Sequence, residues 1–157
     1  MLGKLPEDLL KNLEHYLDNK SKCNIEISSK SPFNEFLIYI KKLSENNKKL
    51  NDVILSQKKF SKLEILNADY NEQRTTCKPF KNSLIELHAY GCCGIDDNGL
   101  SECYKLQILN AYNNKKITTC KPFKNSLIEL HAGGICGIDD NGLFECSKLE
   151  ILNADYN

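Results

Sequence analysis

Fifteen residues of this chain are spelled twice. TTCKPFKNSLIELHA runs from Thr75 to Ala89 and returns unchanged from Thr118 to Ala132, 43 positions later. KLEILNADYN (Lys62–Asn71) reappears two periods on at Lys148–Asn157, and GIDDNGL (Gly94–Leu100) recurs at Gly137–Leu143. Active-site motifs are rarely copied whole, whereas a unit that must stack on its own copies often is. A single repeat cannot bury its apolar face, and an identical neighbour can bury it. Duplication on this scale therefore restricts the chain to architectures built by stacking.

Each period contains a weaker half-period with the spacing LxxLxA. It begins at Leu63, Leu84, Leu106, Leu127 and Leu149, at intervals of 21, 22, 21 and 22 residues. Units of 20–29 residues with LxxLxLxxN/C spacing mark the leucine-rich repeat, in which each unit supplies one short strand. Side chains alternate across a strand, so the fourth and sixth positions pack inward while the third, fifth and seventh face solvent. Asn71, Asn114 and Asn157 fill the ninth position of the odd units, with Cys92 and Ile135 in the even ones. The second half of each unit forms a convex side, where Asp97 is expected to cap a short helix. Thr76 and Thr119 take that place in the odd units. Arg74 stands where the next odd unit has Ile117, which predicts a frayed edge, because a buried guanidinium is costly.

The outward positions form ladders on a concave face. The third position runs Ile65, Glu86, Ile108, Glu129, Ile151. The fifth runs Asn67, His88, Asn110, His131, Asn153. The seventh runs Asp69, Tyr90, Tyr112, Gly133, Asp155. Exposed isoleucine and tyrosine among amides and imidazoles suit protein recognition better than phosphate binding. The candidate target-binding residues are accordingly Ile65, Asn67, Asp69, Glu86, His88, Tyr90, Ile108, Asn110, Tyr112, Glu129, His131 and Asn153.

Residues 1–60 lack the period until about Leu50 and read as three short helices. Pro6 followed by Glu7 and Asp8 opens the first, with Leu9, Leu10, Leu13 and Leu17 at helical spacing. Ser21 is expected to cap a second that contains Ile25, and Phe33–Leu43 supplies a third after Pro32. LPEDLLKNLEHYLDNKSKCNIEISSK, from Leu5 to Lys30, resembles the start of an F-box. It matches at Leu5, Pro6, Leu9, Leu10, Leu13, Tyr16, Leu17, Ser29 and Lys30, and departs at Glu14, Lys22, Ser28 and Pro32. LIELHAYGCCGIDDNGLSEC (Leu84–Cys103) resembles the cysteine-containing repeats of F-box proteins. The two resemblances together imply an F-box/leucine-rich-repeat protein.

The expected fold class is α/β. A leucine-rich-repeat solenoid with a curved parallel sheet (63–157) follows a three-helix F-box-like domain (1–45) and a linker with a partial first repeat (46–62). The resemblance implies the substrate-recognition subunit of a cullin-type ubiquitin ligase. Leu5, Pro6, Leu9, Leu10, Leu13 and Leu17 would dock a Skp-family adaptor, and the repeats would hold an unknown target protein. The alternative is a plain interaction module whose N-terminal helices only cap the solenoid.

Other chemistries are not expected. The eight cysteines include no CxxC pair, as structural zinc would require. Equivalent cysteines lie two strands apart, about 10 Å, too far for a disulfide. No GxxxxGK[ST], GxSxG or HExxH motif occurs, so no cofactor, metal or catalytic residue is anticipated. Basic and acidic residues both number 21, which gives no surplus for nucleic acid. No apolar run reaches the roughly 20 residues of a membrane span, and no export signal opens the chain, so a reducing cytoplasm or nucleus is expected. The sequence stops on a strand motif at Asn157, which predicts either self-association through an uncapped edge or a truncated gene product of marginal stability.

Overall fold

The computed structural model describes residues 25–29, 36–43 and 49–157. Strands β1 (Ile25–Ser29) and β2 (Phe36–Ile40) pair antiparallel, Ile25 opposite Ile40. A six-stranded parallel sheet follows, formed by β3 (Lys42–Leu43), β4 (Ile65–Asn67), β5 (Glu86–His88), β6 (Ile108–Asn110), β7 (Glu129–His131) and β8 (Ile151–Asn153). Its strands lie in chain order, each bonded to the next. Among the described residues the fold is thus α/β, with a parallel sheet and little helix. Strands β4 to β8 fall on the five LxxLxA segments.

The inward leucines explain the order. Leu66, Leu87, Leu109 and Leu130 pair across neighbouring strands in one row. They and the small residues Ala68, Ala89, Ala111 and Ala132 are fully or almost fully buried. Each buried leucine contributes roughly 1.5–3 kcal/mol relative to exposure. Alanine at the sixth position lets adjacent backbones close, and Ala89 N donates to Asn110 O at 2.8 Å while Ala111 N donates to His131 O at 2.8 Å. Behind the sheet run short turns of helix: α1 (Asp52–Leu55), α2 (Asp97–Leu100) and α3 (Asp140–Leu143). They alternate with 3-10 turns at Lys78–Phe80 and Lys121–Phe123, whose phenylalanines are buried.

The N-terminal expectations are corrected. The third helix, Phe33–Leu43, is overturned, because Phe36–Ile40 and Lys42–Leu43 are strands. Ile25, expected inside a second helix, opens β1, and Ser29 of the F-box pattern closes it. The physical reason is the alternation of IEI and the β-branched FLIYI run, which suits a strand. Phe33, Phe36, Leu37 and Ile40 fit helical spacing equally well, so periodicity alone misled. β3 also belongs to the parallel sheet, Leu43 lying opposite Leu66. Ile40 and Leu43 are buried in the same core as the later leucines. Leu5, Pro6, Leu9, Leu10, Leu13 and Leu17, like the Ser21 cap, lie outside the described residues.

Four further details differ. Asp96, not Asp97, caps α2, its carboxylate accepting from Gly99 N at 2.8 Å. Asp97 instead reaches the next unit and accepts from Thr118 N at 2.8 Å and from Thr118 Oγ1. In the first IDDNG the two acids thus divide the work, Asp96 closing its own helix and Asp97 clamping the neighbour. Thr76 and Thr119 close short turns, accepting from Lys78 N and Lys121 N, both at 3.2 Å. Arg74 is not frayed: it is fully buried, and its guanidinium donates to the carbonyls of Leu50 and Asn67. Desolvation lowers its pKa to about 10, so it stays charged at neutral pH.

The ninth position also needs revision. Asn71 and Asn114 are buried, and Asn114 Nδ2 donates to Ala89 O at 2.9 Å. Cys92 and Ile135 do not play this part, since both are exposed and the next residues, Cys93 and Cys136, turn inward. The even units carry one extra residue here. The preceding position is left-handed in every unit from the first LxxLxA onward: Tyr70 (φ 53°), Gly91 (68°), Asn113 (59°), Gly134 (69°) and Tyr156 (62°).

Candidate protein-binding face

Strand register brings the ladders together. Ile65, Glu86, Ile108, Glu129 and Ile151 lie opposite one another in turn, as do Asn67, His88, Asn110, His131 and Asn153. The third- and fifth-position side chains of β4 to β7 are half-buried, while the leucines between them are buried. The face is therefore open, as the alternation requires.

Its polar groups are held. Residues two apart on a strand share a face, and His88 Nε2 meets Glu86 Oε1 at 2.6 Å while His131 Nε2 meets Glu129 Oε1 at 2.7 Å. Asn67 Oδ1 accepts from Asp69 N at 3.0 Å, and Asn110 Oδ1 from Tyr112 N at 3.1 Å. Asp69 accepts from Tyr90 N at 2.9 Å, so its carboxylate serves the turn as well as the surface. Among the described residues no three or more His, Cys, Asp or Glu side chains converge to hold a metal.

At the C-terminal ends of the strands the tyrosines form a band. Tyr90 and Tyr112 stack at 5.4 Å with ring planes 5° apart, and Tyr70 meets Tyr90 edge-on at 4.9 Å. Glycines make room for them. A Cβ on Gly91 would lie 2.7 Å from the Tyr70 ring, and one on Gly133 would lie 2.7 Å from Tyr112. Beside the band is a cleft of about 490 Å³ lined by Tyr70, Tyr90, Cys92, Asn113, Lys115, Lys116 and Ile135, among others. Tyr70, Cys92, Lys115, Lys116 and Ile135 were missed by the ladder logic, which stops at the seventh position. The one sequence signal beside them is Gly or Asn at the eighth position, in Gly91, Asn113 and Gly134, residue types that suit the left-handed turn found there.

The thiols sort by burial. Cys77, Cys93, Cys103, Cys120 and Cys136 are buried, Cys146 is half-buried, and Cys92 is exposed. Burial pushes the Cys77 thiol well up, and Cys93 to about 11, which suppresses the reactive thiolate. Iodoacetamide at pH 8 should therefore alkylate Cys92 first among these seven, the buried ones following only on unfolding. Peptide mass spectrometry checks this, and equal early labelling of Cys93 would contradict the placement.

No described helix is long and apolar enough to cross a membrane. No protein-family model, curated protein or solved structure matches the chain.

Proposed function

We propose that the chain is a leucine-rich-repeat solenoid acting as a non-catalytic protein-interaction module, with the ladder face as its binding surface. The observation that carries this reading is the register of unlike rows: isoleucine and glutamate in one, asparagine and histidine in the next, tyrosine beside them. Amphipathic side chains presented on a hydrogen-bonded sheet lose little freedom on contact, which favours recognition. The entry of β3 into the sheet, with Ile40 and Leu43 in its core, supports a first strand that begins the stack.

A photo-crosslinker placed at Ile108 should capture a partner polypeptide, and the same probe at Asn98, on the helical side, should not. Equal capture from both positions would contradict a face-directed module.

The substrate-recognition subunit of a cullin-type ubiquitin ligase is the second reading. It is favoured by the LPEDLL segment standing ahead of cysteine-containing repeats. Covalent chemistry would then fall to other subunits, and this chain would raise the target's effective concentration. The intact protein should bind a purified Skp-family adaptor in calorimetry and lose that binding on Leu9→Asp with its melting curve unchanged. Absence of adaptor binding by the unmodified protein removes the ligase role and leaves the interaction module standing.

A further inference from the structure

We infer that the cleft beside the tyrosine band is the anchor site for an acidic peptide segment carrying one aromatic side chain. This deepens the interaction-module reading and rests on it. The walls are apolar where a ring would sit: Tyr70 is 49% exposed and Ile135 58% exposed, both toward solvent. A volume near 490 Å³ falls in the range of ligand sites, about 300–1,000 Å³.

Charge selects the rest of the partner. Lys115 and Lys116 line the cleft, and no carboxylate residue lines it. Both lysines are exposed, and neither forms an ion pair among the described residues. A segment with Asp or Glu flanking its aromatic residue would meet cations at the rim and rings within, and complementary rim charge favours encounter. The hydroxyls are already engaged: Tyr70 bonds to Tyr90, which holds its phenol above the usual range, and Asn113 Nδ2 lies 3.4 Å from Tyr90 Oη. The cleft therefore offers ring faces and the Ile135 side chain within, and the two lysine ammonium groups beside them.

A nucleic acid fits less well. A run of successive bases needs a slot between neighbouring rings, and the parallel Tyr90–Tyr112 stack at 5.4 Å leaves none between those two.

The probe is a fluorescein-labelled heptapeptide, Gly-Glu-Glu-Phe-Glu-Glu-Gly, titrated with the full chain and followed by anisotropy. Saturable binding is expected, weakened by salt, lost when the peptide's Phe becomes Ala, and weakened at least about tenfold by the double variant Lys115→Glu, Lys116→Glu. Ile135→Asp should weaken it as well. Both lysines are at the surface, so the double variant should melt like the parent, and the Ile108 crosslink should persist in it. Any of three results overturns the inference: no saturation, binding indifferent to the charge reversal, or tighter binding of a ten-nucleotide oligothymidine. None of them removes the ladder face, which the Ile108 crosslink reads separately.

Discussion

Gly99→Ala is expected to cost about 3 kcal/mol of folding stability and to lower the melting temperature by roughly 6–12 °C. The sign is the informative part. Within a helix the same exchange ordinarily stabilises, by about 1 kcal/mol. Here a Cβ on Gly99 would lie 2.2 Å from the carbonyl oxygen of Thr75 and 3.2 Å from the Cα of Thr76. Both atoms are backbone of the preceding unit, so no side chain can swing aside. Gly99 O also accepts from Cys77 N at 3.0 Å, and retreat of the helix would break that bond. The glycine is therefore present because two units touch through it. Gly142→Ala should behave alike, since its Cβ would meet Thr118 O at 2.2 Å. Asn98→Ala, one residue away and exposed, should change little. Urea melts of the three variants measure this, and a stabilised Gly99→Ala would mean that the units do not approach so closely.

The same contact shows why the sequence was readable in some places and not in others. Inward leucines recur with a fixed period, so β4 to β8 could be located from spacing alone. The first strand escaped because its signal is degraded. Ile40 and Leu43 keep the IxxL spacing 23 residues before Leu63 and Leu66, but Glu45 stands where alanine belongs. The surrounding FNEFLIYIKKL satisfies a helical period as well as a strand. Asp96 and Asp97 are chemically identical, and only the structure tells the cap from the clamp. Arg74 was misjudged because sequence reasoning priced its burial without the carbonyls of Leu50 and Asn67 that receive it. Such bonds offset much of the desolvation cost. The ladder face was legible because alternation fixes it. The cleft was not, because it is assembled from the ends of successive units, and an extra residue after Gly91 and Gly134 shifts the side chains that line it.

Asn114→Ala should also cost about 3 kcal/mol, for a different reason. The Asn114 side chain is buried and satisfies backbone that water cannot reach. Its Nδ2 donates to Ala89 O at 2.9 Å and Ile95 O at 3.4 Å, and its Oδ1 accepts from Lys116 N at 2.9 Å. Alanine would leave the two carbonyls buried without that partner, at about 1–3 kcal/mol for each one unsatisfied. Asn110 provides the comparison, because its Oδ1 accepts from Tyr112 N at 3.1 Å while the residue is only half-buried. Water can replace that bond, and Asn110→Ala should cost no more than about 1 kcal/mol. Asn114→Asp separates hydrogen bonding from volume. A carboxylate facing two carbonyls would be less stable than alanine at pH 7, and its pKa in the folded state would be raised above the unfolded value of about 3.9. With the folded pKa raised, the protonated acid can donate to Ala89 O, so the variant should recover stability as pH falls through that folded pKa. Chemical denaturation at pH 7 and pH 5 reads the difference. A variant equally unstable at both values would show that the space, and not the donor, is what this asparagine supplies.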